Sequence, residues 1–131
     1  HGAWRLTGAQ QHLLAFDARM GELYWGQALV EEAGQARLLH ESVVRPEDVE
    51  LPSNEGWLPV SDGWRRYPDF MQQAQAVLLD DQRALDLLPD AQDVLALAQT
   101  ALAEGKACKP EALQPVYLRN NVAQPPKPIL I

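Results

Sequence analysis

His12-Leu13-Leu14-Ala15-Phe16-Asp17-Ala18-Arg19-Met20-Gly21-Glu22-Leu23-Tyr24-Trp25 reads as a strand, a turn and the start of a second strand. Residues 12 to 17 are apolar up to a terminal aspartate, and Glu22 to Val30 is rich in aromatic and aliphatic side chains. Between them, Ala18-Arg19-Met20-Gly21 is a short glycine-bearing connection of hairpin type. Glu31 to Gln35 supplies another turn, and Ala36 to Val44 reads as a third strand. The first third of the chain is thus expected to be an antiparallel meander.

The pattern then changes. Pro46-Glu47-Asp48-Val49 carries the proline and acids of a first helical turn. Pro52 to Gly56 is loop, and Trp57 to Val60 is a short strand whose Pro59 lacks an N–H and points to a sheet edge. Ser61-Asp62-Gly63 is a turn, Pro68 to Gln75 a helix, and Ala76 to Asp80 an apolar strand of the kind buried in a parallel sheet. The clearest helix runs from Pro89 to about Glu104. Pro89 suits its first position, Asp90 and Asp93 its positive end, and Gly105 its C-terminal cap. Ala91, Leu95, Ala98 and Leu102 form one apolar stripe at helical spacing. Gln114 to Val122 is expected against the sheet or an adjacent surface, followed by a Pro-rich tail over 124–131. The resulting class is α/β, a mixed five-stranded sheet with helices packed on it.

Composition narrows the function. The chain has 131 residues, 47% of them hydrophobic, which fits one globular domain. Its net charge of -7 disfavours direct nucleic-acid binding, which depends on Lys and Arg meeting phosphates. No apolar run reaches the roughly 18 residues of a membrane span, so no membrane contact is expected. The single cysteine, Cys108, is compatible with a reducing, cytoplasmic setting. His1, His12, His40 and Cys108 are scattered without ligand spacing, so no metal site is expected. Ser42, Ser53 and Ser61 stand in no nucleophile motif, and no glycine-rich phosphate loop is present. No catalytic residue and no cofactor is assigned.

Two blocks carry a family resemblance: Phe16 to Trp25, and Gln114-Pro115-Val116-Tyr117-Leu118-Arg119-Asn120-Asn121-Val122-Ala123. With Gly2-Ala3-Trp4-Arg5, Gly63-Trp64, Leu88-Pro89 and Ala103-Glu104-Gly105-Lys106, the chain resembles the bacterial tRNA threonylcarbamoyladenosine biosynthesis family TsaB, also called YeaZ. The resemblance spans nearly the whole chain and is loose over residues 31 to 62. It implies one lobe of the actin-like ATPase (ribonuclease H-like) fold, the C-terminal lobe, over residues 1–123. It also implies a non-catalytic paralogue of TsaD, the subunit with the metal and ATP site. With TsaD and TsaE, such a protein serves threonylcarbamoyl transfer to tRNA, which it would meet only indirectly, through the complex. The family's Gly-Pro-Gly-Ser-Phe-Thr-Gly signature, its nucleotide-binding strand and most of its TsaD-pairing helices belong to the other lobe. A half-protein of this kind is expected to expose apolar inter-lobe surface and to self-associate through it as a homo-oligomer. Two other readings remain open. One is a hydrolase, after the glycoprotease name of the superfamily; the other is a general protein-interaction domain.

Eight residues are candidate partner or inter-lobe contacts: Trp4, Asp17, Arg19, Glu22, Tyr117, Arg119, Asn120 and Asn121. Asp17, Arg19 and Glu22 either face a ligand or partner, or form a plain turn in which Asp17 accepts N–H groups and Arg19 pairs with Glu22. Tyr117 to Asn121 either carries contacts, or simply packs through Tyr117 and Leu118 with turn bonds from the asparagines. Trp4 ends a helix that is expected to continue into the other lobe, and its exposure would mark a severed interface.

Overall fold

Alternation along the first strand sends Leu13 and Ala15 to one side and His12, Leu14 and Phe16 to the other, and both sides are used. The computed structural model describes residues 1–31 and 34–119. The elements run α1 (Gly2–Thr7), β1 (Gln11–Asp17), β2 (Leu23–Val30), β3 (Ala36–Val44), β4 (Leu58–Val60), α2 (Gly63–Arg66), α3 (Pro68–Ala74) and α4 (Ala91–Ala103). The sheet order is β3-β2-β1-β4, antiparallel except for the parallel β1–β4 pair. The expected meander is present, with register Leu13↔Gln27 and Asp17↔Leu23 and a bulge between Gln27 and Ala28.

The expected fifth strand over residues 76–80 does not form. Leu78 makes one isolated parallel bridge with Trp57, so the sheet has four strands. The cause lies in Pro59. Residues 57, 59 and 61 direct their backbone nitrogens away from β1. The Trp57 N–H finds the Val77 carbonyl at 3.1 Å, and the Ser61 N–H finds that of Ala84 at 2.9 Å. Pro59 between them has nothing to donate, so a ladder begun at Trp57 cannot continue. Pro59 does mark an edge, as its chemistry required.

The first face packs around tryptophan. Trp64 from α2 stacks on Phe70 from α3 at 4.7 Å, and Trp25 from β2 meets both edge-on at 5.8 Å. The Trp64 indole N–H donates to the Leu13 carbonyl at 3.1 Å, which fixes α2 on β1. Gly63 permits that approach: a Cβ there would lie 2.5 Å from the Ala15 carbonyl oxygen. Val49 and Leu51 also pack on this cluster. Drawing them inward returns the chain to extended backbone after a single 3-10 turn at Pro46–Asp48, where a longer helix was expected.

The second face carries α1 and α4. Ala3, Leu58, Val60 and Ala84 form a smaller cluster there. Helix α4 differs from expectation in its start and its face. Pro89 lies outside it; Asp90 is the N-cap, accepting the Gln92 N–H at 2.8 Å. The stripe of Ala91, Leu95, Ala98 and Leu102 faces outward, with Leu95 at 59% and Leu102 at 67% exposure. The buried residue of α4 is instead Asp93, held by the side chains of His1 (2.9 Å) and Arg5 (3.2 Å). A charged tie to α1 thus sets the rotation of the helix. Its C-terminus closes as expected: Gly105 at φ 72 donates to Leu102 and Lys106 to Ala101.

Candidate functional site

The β1–β2 connection gathers four of the eight candidate residues. Its backbone turns left-handed over three successive positions, Arg19 (φ 64), Met20 (φ 56) and Gly21 (φ 79). Glycine adopts this freely, whereas side chains with a Cβ resist it. The turn is closed by Ala18 N–H to Glu22 carbonyl (2.9 Å) and Glu22 N–H to Arg19 carbonyl (3.0 Å). Asp17 accepts the Arg19 N–H at 3.0 Å, as in the plain-turn alternative. The Arg19–Glu22 pair of that alternative is absent. Arg19 reaches back to Asp17 at 3.6 Å, because the left-handed backbone swings its stem toward the strand end.

Glu22 pairs instead with Arg119, at 2.5 Å. The same Arg119 Nη2 donates to the Ala18 carbonyl at 2.9 Å and lies 3.5 Å from that of Arg19. Arg119 and Glu22 stand 97 positions apart in sequence. The two blocks that carry the family resemblance therefore meet in space at one guanidinium.

Two further residues belong to the site: Asp62, read from the sequence only as part of a turn, and Tyr67, which the sequence reading did not single out. Asp62, the residue before α2, turns its carboxylate to the Asp17 N–H at 3.2 Å rather than capping its own helix. Tyr67 faces Asp17, and burial together with that carboxylate pushes the phenol above its ordinary pKa. They flank α2, Asp62 before it and Tyr67 after it, and their direction was not legible, since it depends on how α2 docks.

The remaining candidates separate. Tyr117 is 77% exposed and does not pack, because the strap from residue 113 to 117 runs over the rim as exposed backbone; Leu118 is half-buried. Trp4 sits elsewhere on the molecule, half-buried, with its ring on the backbone of Gly34, where φ is 79 and a Cβ would lie 2.8 Å from the indole. Asn120 and Asn121 lie outside the described residues.

The turn cluster is closed by its own hydrogen bonds and ion pairs. Asp17 is paired with Arg19 and Glu22 with Arg119, while Met20, 83% exposed, and the exposed Arg19 project from it. Among the described residues no group of His, Cys, Asp and Glu could hold a metal ion. Ser61 is buried and hydrogen-bonds Asp62 at 3.4 Å, and Cys108 is exposed. No helix among the described residues is long and apolar enough to cross a membrane.

On the opposite side, an open apolar groove of about 320 Å3 lies between the sheet and α4. Leu14, Phe16, Val30, Val94 and Leu97 line it, with His12 at its floor. His12 is buried, its Nε2 has no partner, and burial pushes its pKa down to about 4.

No protein-family model matches the chain. It is 42% identical over 93% of its length to the Escherichia coli (strain K12) tRNA threonylcarbamoyladenosine biosynthesis protein TsaB, covering 53% of that protein. It is 28% identical over 92% of its length to the Haemophilus influenzae TsaB, covering 52%. The chain spans about half the length of the curated relatives it matches. Among solved structures, it resembles YeaZ from Pseudomonas aeruginosa, at a TM-score of 0.74 and 39% identity over 89% of this chain and 53% of that one. A second Pseudomonas aeruginosa structure, described as an uncharacterized protein with similarity to peptidase YEAZ, gives a TM-score of 0.75 at 39% identity over 90% of this chain and 53% of that one.

Proposed function

Starting from a chain that is TsaB-like in sequence and YeaZ-like in fold over about half the length of those proteins, we propose that it serves tRNA threonylcarbamoyladenosine biosynthesis as a non-catalytic, scaffold half. It supports a TsaD-type catalytic subunit and works beside a TsaE-type protein, meeting tRNA through that assembly. Its layered α/β body then corresponds to one lobe of an actin-like ATPase fold. It needs no cofactor of its own, and its setting is the cytoplasm. Its contribution is shape: the turn at Arg19 and Met20 faces outward as a recognition element.

One observation carries this reading. The two sequence blocks that resemble the family are joined in the structure through Arg119 and Glu22, so the resemblance extends to a three-dimensional unit. The acidic balance of -7 agrees with a role in protein assembly more than in gripping tRNA directly.

The test is a chimera. The matching half of Escherichia coli TsaB is replaced by this chain, and modified nucleoside is measured by mass spectrometry in a reconstituted reaction with TsaD and TsaE. Modification close to the parental level is expected. A chimera that is folded, binds neither partner and supports no modification would overturn the reading.

A further inference from the structure

We propose that Arg119 is a positioning residue, a latch that closes the mouth of the β1–β2 turn and holds Arg19 and Met20 left-handed. The proposal rests on the reading of that turn as a recognition element, since the latch gives the turn a fixed shape to present.

Three observations converge on it. The first is backbone strain: Arg19 and Met20, both with a Cβ, adopt φ 64 and φ 56 side by side. Such residues persist where surrounding contacts over-determine them. The second is the burial of Arg119 against the exposure of its own segment. Its side chain is 17% exposed, while its neighbours Val116 and Tyr117 stand in solvent. From Leu113 to Tyr117 the strap has no buried residue. Leu118 is half-buried, and the hydrogen bonds from the strap to the turn come from the Arg119 side chain. The third is the bonding pattern. One guanidinium donates to the Ala18 carbonyl on one limb of the turn and to the Glu22 carboxylate on the other, with Nη1 3.9 Å from the Met20 sulfur at the apex.

A planar fork suits this bridge. Its nitrogens diverge in fixed directions and can serve a carbonyl and a carboxylate together, whereas an ammonium is a point charge on a flexible stem. The bonds to Ala18 and Glu22 span the same two residues whose backbones pair to close the turn. Opening the turn therefore requires breaking both sets.

Amide hydrogen exchange on the chain itself tests the latch without any partner. Arg119→Ala is expected to speed exchange at the Ala18 and Glu22 amides about tenfold, in line with the cost of a left-handed residue bearing a Cβ. Exchange at Leu13 and Trp25 should not change. Adding Met20→Gly to Arg119→Ala should recover much of the lost protection, because glycine takes that backbone conformation without help. Arg119→Lys keeps charge and bulk and should still lose protection at both amides. Unchanged exchange at Ala18 and Glu22 in Arg119→Ala would overturn the proposal. So would an acceleration that Met20→Gly does not reduce, or full protection in Arg119→Lys. Failure of the chimera above with normal latch behaviour would instead count against the assigned function alone.

Discussion

The two faces of the sheet are held by different physics. On one, Trp25, Trp64 and Phe70 interlock, Gly63 lets backbone approach backbone, and one indole bond pins α2 to β1. On the other, α4 is held by the carboxylate of Asp93 between His1 and Arg5, beside a groove left open to solvent. Apolar burial is non-directional and grows with area, so the first face resists opening as a unit. A polar tie is directional and local, so the second face can loosen at α4 while the sheet stays intact.

The largest expected effect comes from attacking the first face. Trp64→Ala should cost about 3–5 kcal/mol in chemical denaturation, from lost burial, a cavity and an unpaired Leu13 carbonyl. A loss below about 1 kcal/mol would mean the tryptophan cluster is not the anchor.

Acid should probe the second face next. Folded His12 has its pKa pushed down to about 4 by burial, against an ordinary value of 6.5. As pH falls from 6.5 toward 4, the unfolded chain takes up a proton that the folded chain refuses. Stability should therefore be complete above about 6.5 and decline to about pH 4, by up to ~3 kcal/mol. Titration of carboxylates acts on wild type and variant alike, so His12→Leu should show a shallower loss over this window. Parallel curves for the two would remove His12 from the account.

A smaller effect is expected from Asp93→Ala, about 1–2 kcal/mol, from the loss of its hydrogen bonds. Amide exchange should rise in α4 and stay unchanged in β1 and β2. A uniform rise across the sheet would erase the distinction between the faces. Smallest of all, Leu102→Glu on the outward side of α4 should change stability by no more than ~0.5 kcal/mol. A large loss there would show that the apolar stripe is covered after all.

The meander was legible because each strand is a local signal, and Gly21 punctuates the first two. The C-terminal end of α4 was legible for the same reason, through Gly105, while its start was read early, at Pro89 instead of after the Asp90 cap. Its orientation was not legible. Periodicity names an apolar face at Ala91, Leu95, Ala98 and Leu102, but the rotation answers to Asp93 and its partners on α1, some 90 residues away in sequence. The missing strand at 76–80 has a similar origin: those residues are apolar enough, yet the strand they would join carries Pro59 where a donor is required. In the candidate site, Asp17 in its turn could be read directly. The pairing of Glu22 with Arg119 could not, since Arg19 is the nearer cation in sequence and only the folded path of the strap brings Arg119 to the turn.

Pro59 also bears on assembly. Regarded as a growing polymer of strands, this sheet carries a chain terminator on its β4 side, where the outward ladder stops after one bridge. Its β3 side carries none: no described strand pairs with the outer edge of Ala36–Val44. A sheet with one reactive end can add a single neighbour. Two copies meeting β3 to β3 would consume each other's open edge and expose no further one, so association by strand pairing would stop at a twofold pair and could not propagate into a fibre.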